Sequence, residues 1–220
     1  MTIMNVSKNI KPLTKPLLRG HSHQAAFFFA FGASTILLLN AYGTNTIIPT
    51  IIYSVSLIGL FGISALYHRP HWRPKQRMWM RRMDHAAIYI LIAGTFTPIC
   101  LIALSLDVRG KLLQLIWGAA IFGIIQSIFW VTAPKWLSAL LYVAVGCLLV
   151  PYFPELKVAL ATSDLWLILS GGIIYILGAI IYALKKPNPF PKIFGYHEIF
   201  HLLVILGATL HFIVIYKLIK

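Results

Sequence analysis

The sequence predicts an all-α membrane protein, a bundle of seven transmembrane helices with its N-terminus inside and its C-terminus outside. Three observations predict this fold. The composition is 59% hydrophobic and only 11% charged, with a mean hydropathy of +0.82, which is far from that of a soluble domain. Seven apolar runs are long enough to cross a bilayer. The basic residues also sort to one side of these runs.

The first apolar run follows a short basic segment, residues 1–23, which we expect to be cytoplasmic. A basic segment before an apolar run is also typical of a cleaved secretory signal. This run, however, continues from Ala25 to Leu39 with no small-x-small cleavage site close behind it. We therefore interpret it as the uncleaved first span of a transmembrane domain that covers residues 24–217.

Six further apolar runs follow, mostly through short connections. A spanning helix needs about 20 mostly apolar residues, and the apolar residues are continuous, unlike the alternating strands of a membrane barrel. The predicted spans are residues 24–43, 46–67, 84–105, 112–132, 136–153, 164–184 and 197–216. Residues 68–83 and 185–196 are polar, and we expect them to be the longer loops. Cys100 and Cys147 fall inside spans, where packing roles are expected and no disulfide is implied.

The basic residues predict the orientation of the bundle. If the chain starts inside, 14 Lys and Arg residues are cytoplasmic and 5 are outside, as the positive-inside rule requires. The cytoplasmic set is Lys8, Lys11, Lys15, Arg19, Arg69, Arg73, Lys75, Arg77, Arg81, Arg82, Lys135, Lys185, Lys186 and Lys192. The outer set is Arg109, Lys111, Lys157, Lys217 and Lys220. An odd number of spans then places the C-terminus outside.

The formal net charge of +14 raises the alternative of a nucleic-acid-binding protein. The basic residues do not form one stripe with interleaved aromatic side chains, so we predict no nucleic-acid partner. Anionic lipid headgroups are natural counterions for a basic cytoplasmic face. We therefore expect membrane lipids as partners, and the sequence leaves the oligomeric state open.

Polar residues converge at the cytoplasmic ends of the second, third and seventh spans. His197, Glu198 and His201 form the pattern H-E-x-x-H, which binds zinc on a helix in metalloproteases. Histidines four residues apart lie one turn apart on one face, within reach of one metal ion. His68 ends the second span at a similar depth and supplies a third nitrogen. The alternative is a group of interfacial histidines, with His68 stabilising a helix C-terminus.

Asp84 opens the predicted third span on the same side. Two roles that do not exclude each other are expected: an N-terminal cap of that helix, and a carboxylate that acts as general base or orients the water held by a metal. Ser64 lies one turn before His68. Its hydroxyl is expected either to donate a hydrogen bond to the backbone carbonyl four residues back or to hydrogen-bond a group in the metal site or the developing oxyanion. Glu198 has an adequate role as an acid in the first turn of a helix.

The remaining histidines are expected to lie outside this site. His211 is fourteen residues from His197, about 21 Å along a helix, so we interpret it as an interior polar residue. His21, His23, His71 and His85 are expected to be interface residues.

Together these motifs resemble the haemolysin III group of the progestin and adipoQ receptor (PAQR) family, which is similar in turn to alkaline ceramidases. The resemblance covers the chain from about residue 20 onward. The motifs are Ser64-x-x-x-His68, then Met83-Asp84-His85 followed by Ala93-Gly94-Thr95-Phe96-Thr97-Pro98, and His197-x-x-x-His201 followed by Leu210-His211-Phe212. The resemblance implies a zinc site with His68, His197 and His201 as ligands. It also implies that Asp84 contacts the water on the metal and that Ser64 supports the site.

The function that we predict is zinc-dependent hydrolysis of a lipid amide or ester, near the cytoplasmic face of a bacterial-type plasma membrane. Asp84 would accept the proton of the attacking water, and Ser64 would hold Asp84 or the developing oxyanion. The alternative is a non-catalytic receptor or regulator of membrane state with a structural zinc site. Membrane permeabilisation, which the haemolysin name suggests, is disfavoured because the spans carry few polar residues.

Overall fold

The computed structural model describes residues 15–220, and this part of the chain is almost entirely helical. Its eight α-helices are α1 His21–Asn40, α2 Thr44–His68, α3 Pro74–Pro98, α4 Leu106–Phe129, α5 Lys135–Gly146, α6 Phe153–Ala159, α7 Thr162–Leu184 and α8 Tyr196–Ile219. A π-helical turn, Ile99–Ala103, continues α3, and a 3₁₀ segment, Cys147–Tyr152, joins α5 to α6. Seven helical segments of the described chain are long and apolar enough to cross a membrane. The predicted seven-helix fold class is therefore confirmed.

The fifth span is divided into three helical segments. It runs from Lys135 to Ala159 through α5, the 3₁₀ segment and α6. Pro151 lies in the 3₁₀ segment and Pro154 in the first turn of α6. Proline cannot donate the backbone hydrogen bond of a helix interior, so α5 ends before the first of them.

The third span begins earlier than the sequence predicts. Helix α3 starts at Pro74, so the expected loop 68–83 shrinks to residues 69–73. Proline is favourable at this first position because its missing N–H would have no helical partner. Asp84 consequently lies in the interior of α3, so of its two expected roles the N-terminal cap is wrong.

Small residues let the helices approach closely, as is common where helices pack inside membranes. A Cβ atom at Gly94 of α3 would collide with the Ser56 side chain of α2. Helix α8 packs against both α7 and α1, which closes the bundle. One cavity is lined by residues from the C-terminal end of α2 and from the N-terminal halves of α3 and α8, so these parts of the three helices lie together at one end of the molecule.

The segments with most of the basic residues meet at this same end. The backbone N–H groups of Leu17 and Leu18 donate to the carbonyls of Lys192 and Ile193, at 2.9 and 3.0 Å. Lys15 Nζ donates to the Arg69 carbonyl at 3.0 Å. At the opposite end, Lys217 pairs with Asp164 at 2.6 Å. The predicted cytoplasmic residues Lys8 and Lys11 lie outside the described residues.

We expect the basic end of the bundle to face the cytoplasm, because Lys and Arg are retained on that side of a membrane. The test fuses two reporters in turn to each terminus. One is a fluorescent protein that folds only in the cytoplasm, and the other is a phosphatase that is active only outside. The N-terminal fusions should report the inside and the C-terminal fusions the outside. As a control, fusions within residues 186–194 should agree with the N-terminal ones. Termini on the same side of the membrane would contradict the predicted topology.

Candidate metal centre

Three histidines from two helices meet at the basic end of the bundle. His68 is the last residue of α2, and His197 and His201 occupy the first two turns of α8. All three side chains are buried, and each offers a ring nitrogen within 4.8 Å of the others. The Nε2 atoms of His68 and His197 are 3.1 Å apart. The sequence prediction of these three residues as one cluster is thus reproduced by the structure.

The cluster fits a metal ion. Two nitrogen ligands of one tetrahedral zinc are about 3.3 Å apart, because each bond is about 2.0–2.1 Å long. The distance of 3.1 Å between His68 and His197 is close to that value. An imidazole ring binds a given ion through one nitrogen only, so His197 would use the Nε2 atom that faces His68. The cluster therefore offers one nitrogen from each of three buried rings, which is the donor set of a three-histidine metal site.

The position of His68 depends on how the chain enters α1. Gly20 precedes α1 with φ of 81°, in the left-handed region that favours glycine. A Cβ atom built on Gly20 would lie only 2.6 Å from the Cβ of His68. Both the positive φ and the close approach to His68 therefore require glycine at position 20. Without a side chain there, the chain can cross the end of α2.

Asp84 and Ser64 complete the predicted set. Asp84 Oδ2 is 3.8 Å from His68 Nε2, which is too far for a direct hydrogen bond but near enough to share a ligand. The Ser64 side chain is buried on α2, one helical turn before His68. The five predicted site residues all line one cavity of about 240 Å³.

Two further histidines also line this cavity, although they were expected at the membrane interface. The ring of His23 stacks on that of His201, with centroids 3.8 Å apart and an angle of 7°. Both ring nitrogens of His23 are buried without a hydrogen-bond partner in the described chain. His85 is buried as well. His23 shares its helix face with the small residues Ala26 and Ala30, and this spacing could have predicted that it points inward.

The other histidines lie where they do not reach the cluster. His211 is buried deeper in the bundle, with its Nε2 atom 3.1 Å from the carbonyl oxygen of Ile168. This confirms that it is an interior residue, although only Nε2 has a partner and its Nδ1 atom is buried without one in the described chain. His21 contacts the Arg69 guanidinium, and His71 is exposed.

Glu198 lies between the two α8 ligands but does not line the cavity. Its Oε2 accepts a hydrogen bond of 2.8 Å from the backbone N–H of Gly195, which caps the helix. Its Oε1 pairs with the guanidinium of Arg19, just before α1. The predicted structural role in the first helical turn is therefore supported, whereas the pairing with Arg19 was not predicted.

A second cavity of about 220 Å³ adjoins the first. Its wall is formed mainly by apolar side chains of α3, α5, α7 and α8. Leu60, Ile88, Tyr142, Phe200 and Val204 line both cavities. A polar compartment with the histidines and an apolar compartment within the bundle thus share a wall.

The comparisons with known proteins agree with the motifs of the site. Residues 12–212 match the model of the family described as Haemolysin-III related. The chain belongs to the haemolysin-III-related family. It is 36% identical to Hemolysin-3 of Bacillus cereus over 194 residues, covering 87% of this chain and 85% of the relative. It is 33% identical to the Hemolysin-3 homolog of Bacillus subtilis (strain 168) over 204 residues, covering 90% and 92%.

A more distant similarity extends to an animal protein. The human Monocyte to macrophage differentiation factor is 27% identical over 179 residues, covering 76% of this chain and 68% of the relative. The haemolysin-III-related assignment confirms the predicted family, and the similarity to alkaline ceramidases stays a prediction. The seven apolar helices and the two Bacillus relatives support an integral protein of the plasma membrane.

We expect Glu198→Gln to lower stability and to leave metal binding intact. Glutamine keeps an acceptor for the Gly195 N–H but leaves the Arg19 charge unpaired, which should cost about 1–3 kcal/mol. The measurement is the apparent melting temperature of the purified protein, together with its metal content. Adding Arg19→Gln should recover part of the loss, and the exposed Glu155→Gln is the control that changes nothing. Lost metal at unchanged stability would instead indicate that Glu198 acts on the metal.

Proposed function

We propose that this haemolysin-III-related protein is a zinc-dependent membrane hydrolase that cleaves a lipid amide or ester. The observation that carries the proposal is the histidine cluster beside a carboxylate, in a cavity that shares a wall with an apolar compartment. The first compartment has the groups for hydrolysis, and the second suits a hydrocarbon chain. The two together favour a lipid over a soluble peptide as substrate.

Zinc is the metal that this donor set favours. Three imidazole nitrogens with one position left open are typical of catalytic zinc sites. Cys100 and Cys147 are free and do not contribute to the cluster, so a thiolate-rich structural site is disfavoured. Carboxylate-rich sites, which suit magnesium or calcium, need more oxygen ligands than Asp84 alone provides.

The reaction would divide among the side chains of the cavity. Zinc held by the three histidines would lower the pKa of a coordinated water and polarise the substrate carbonyl. Asp84 would accept the proton of the attacking water as general base, and its distance of 3.8 Å from a ligand nitrogen supports this role. Ser64 would orient the Asp84 carboxylate through its hydroxyl. The leaving amine or alcohol would then receive the proton from Asp84.

The apolar compartment would hold an acyl chain. Leu91, Ile92, Leu149 and Ile173 lie along it, and Phe200 and Val204 separate it from the histidines. A chain in this compartment would present its carbonyl to the metal end of the bundle. Such positioning of the reacting group is a main source of rate enhancement in enzymes.

A receptor or regulator of membrane state would use the same metal ligands, so turnover is the observation that separates it from a hydrolase. The test is release of fatty acid from N-acylsphingosine or monoacylglycerol by the purified protein in detergent. Release should stop on chelation and return when zinc is added. A zinc-loaded protein that releases no fatty acid from either lipid would favour the non-catalytic function.

We expect about one zinc ion per chain in the purified protein, measured by elemental analysis. The content should fall sharply in His68→Ala, His197→Ala and His201→Ala, because each removes one ligand. His211→Ala is the matched control, since it removes a buried histidine that lies away from the cluster. Unchanged zinc in all three ligand variants would rule out the site.

We expect Asp84→Asn to reduce hydrolysis by roughly a hundredfold or more, the usual scale for losing a general base. The variant should retain zinc and fold normally, because Asn has the same shape and Asp84 does not cap a helix. Asp164→Asn is the control, since Asp164 pairs with Lys217 at the other end of the bundle. Full turnover in Asp84→Asn would show that the proposed mechanism is wrong.

A further inference from the structure

The polar cavity carries more positive than negative charge. Arg19, Arg81 and Lys135 line it, and Asp84 is the carboxylate among its lining residues. The charge of Arg19 is compensated by Glu198, which lies just outside the cavity. Two cations of the cavity wall, Arg81 and Lys135, are therefore left with one carboxylate, and that carboxylate lies beside His68.

Arg81 is held near the cavity without a partner of its own. It lies one helical turn before Asp84 on α3, so the two side chains share a face. It is half-buried, and within residues 15–220 its guanidinium makes no ion pair and no hydrogen bond. An arginine in this state keeps its five N–H donors for another molecule.

Lys135 is fixed in position but its charge is not neutralised. This first residue of α5 donates a hydrogen bond of 2.7 Å from Nζ to the Tyr196 hydroxyl. The ammonium group also lies over the rings of Tyr182 and Tyr196, at 4.5 and 4.8 Å from their centroids. Aromatic rings attract and orient a cation without cancelling its charge. Lys135 is therefore a preformed binding group for an anion.

From these two cations and the adjoining apolar compartment, we propose that the cavity binds a lipid with a phosphate headgroup. A phosphate has several acceptor oxygens, so the arginine can bind it through paired N–H groups while the lysine contacts it as a point charge. The apolar compartment would take the hydrocarbon chain. The proposal rests on the proposed function in placing that chain there, and it adds lipids with a phosphate headgroup as a class of ligand for the same site.

Basic residues at a cytoplasmic membrane face also attract anionic lipids without a specific site. Lys75 and Arg77 represent this general effect, because both are exposed on the first turns of α3 and neither lines the cavity. A specific site predicts that the cavity pair Arg81 and Lys135 matters for binding and that the exposed pair does not. The two pairs carry the same charge and lie at the same end of the bundle.

The test is calorimetric binding of dodecyl phosphate to the full chain, purified in the neutral detergent dodecyl maltoside. We expect the double variant Arg81→Gln with Lys135→Gln to bind at least about tenfold more weakly, since two charge-assisted hydrogen bonds are lost. The double variant Lys75→Gln with Arg77→Gln should stay within about twofold. Equal losses in both double variants would overturn the proposal, because they would indicate a general surface effect.

Two other ligands identify the chemistry that is recognised. Inorganic phosphate should bind at least about tenfold more weakly than dodecyl phosphate, because it lacks the chain that fills the apolar compartment. If it binds as tightly, the site serves a free phosphate and the lipid proposal is wrong. Laurate should also bind more weakly than dodecyl phosphate. Tighter binding of laurate would identify a fatty carboxylate as the ligand and would overturn the proposal.

Two further variants keep the test independent of folding and of zinc. Lys135→Arg keeps the positive charge and should therefore retain binding of dodecyl phosphate. Retained binding would show that the double variant loses affinity through its missing charges and not through a folding defect. A loss in Lys135→Arg as large as that of the double variant would overturn the proposal. The double substitution of Arg81 and Lys135 is also made in a His201→Ala background, which we expect to lack zinc. It should weaken binding of dodecyl phosphate there as well. An effect that disappears with zinc would overturn the proposal. Hydrolysis of the neutral lipid N-acylsphingosine is assayed separately, so failure of the proposed function and failure of phosphate binding are distinguishable.

Discussion

The burial of a histidine cluster inside an apolar bundle is the constraint on which the rest of this structure depends. Within a bilayer, a polar group cannot obtain a hydrogen bond from water, so it must find a partner in the protein or a ligand. The ring nitrogens of His68, His197 and His201 lie within 4.8 Å of one another, and the His23 ring stacks on His201. Two uncharged rings at the 3.1 Å distance of His68 and His197 satisfy one nitrogen pair at most. A metal ion bound by one nitrogen of each of these three histidines would satisfy those three atoms, and it would hold the end of α2 against the start of α8.

The chain before α1 reinforces this arrangement from outside the cavity. Arg19 pairs with Glu198, between the two α8 ligands, and Gly20 lets the backbone cross directly over His68. The hydrogen bonds of Leu17 and Leu18 to the loop before α8 hold the same segment. The residues that surround the ligands thus come from both ends of the described chain. Such contacts restrict the ligand side chains to one geometry, which a metal site needs for affinity.

The sequence was sufficient for the number of spans and for the gathering of the five site residues, because both follow from simple periodicity and depth. His197 and His201 share a helix face by their spacing of four, and His68 and Ser64 do the same on α2. Hydropathy detects only the apolar part of a helix, however, and α3 begins at Pro74, in the polar region outside it. The capping role considered for Asp84 is wrong for this reason. The Arg19–Glu198 pair joins residues 179 positions apart, and no local pattern in a single sequence encodes such a contact.

The position of the cluster at the boundary of two compartments connects the fold to the chemistry that we propose. A metal site for soluble substrates needs an aqueous approach, whereas the apolar compartment here shares Ile88, Phe200 and Val204 with the wall of the histidine cavity. A substrate can therefore place hydrocarbon on one side of these residues and a polar group on the other. Arg81 and Lys135 add two cations to the wall of the histidine cavity. The hydrocarbon chain, the cleavable bond and the headgroup of a membrane lipid would each find a matching group of side chains in these two adjoining cavities.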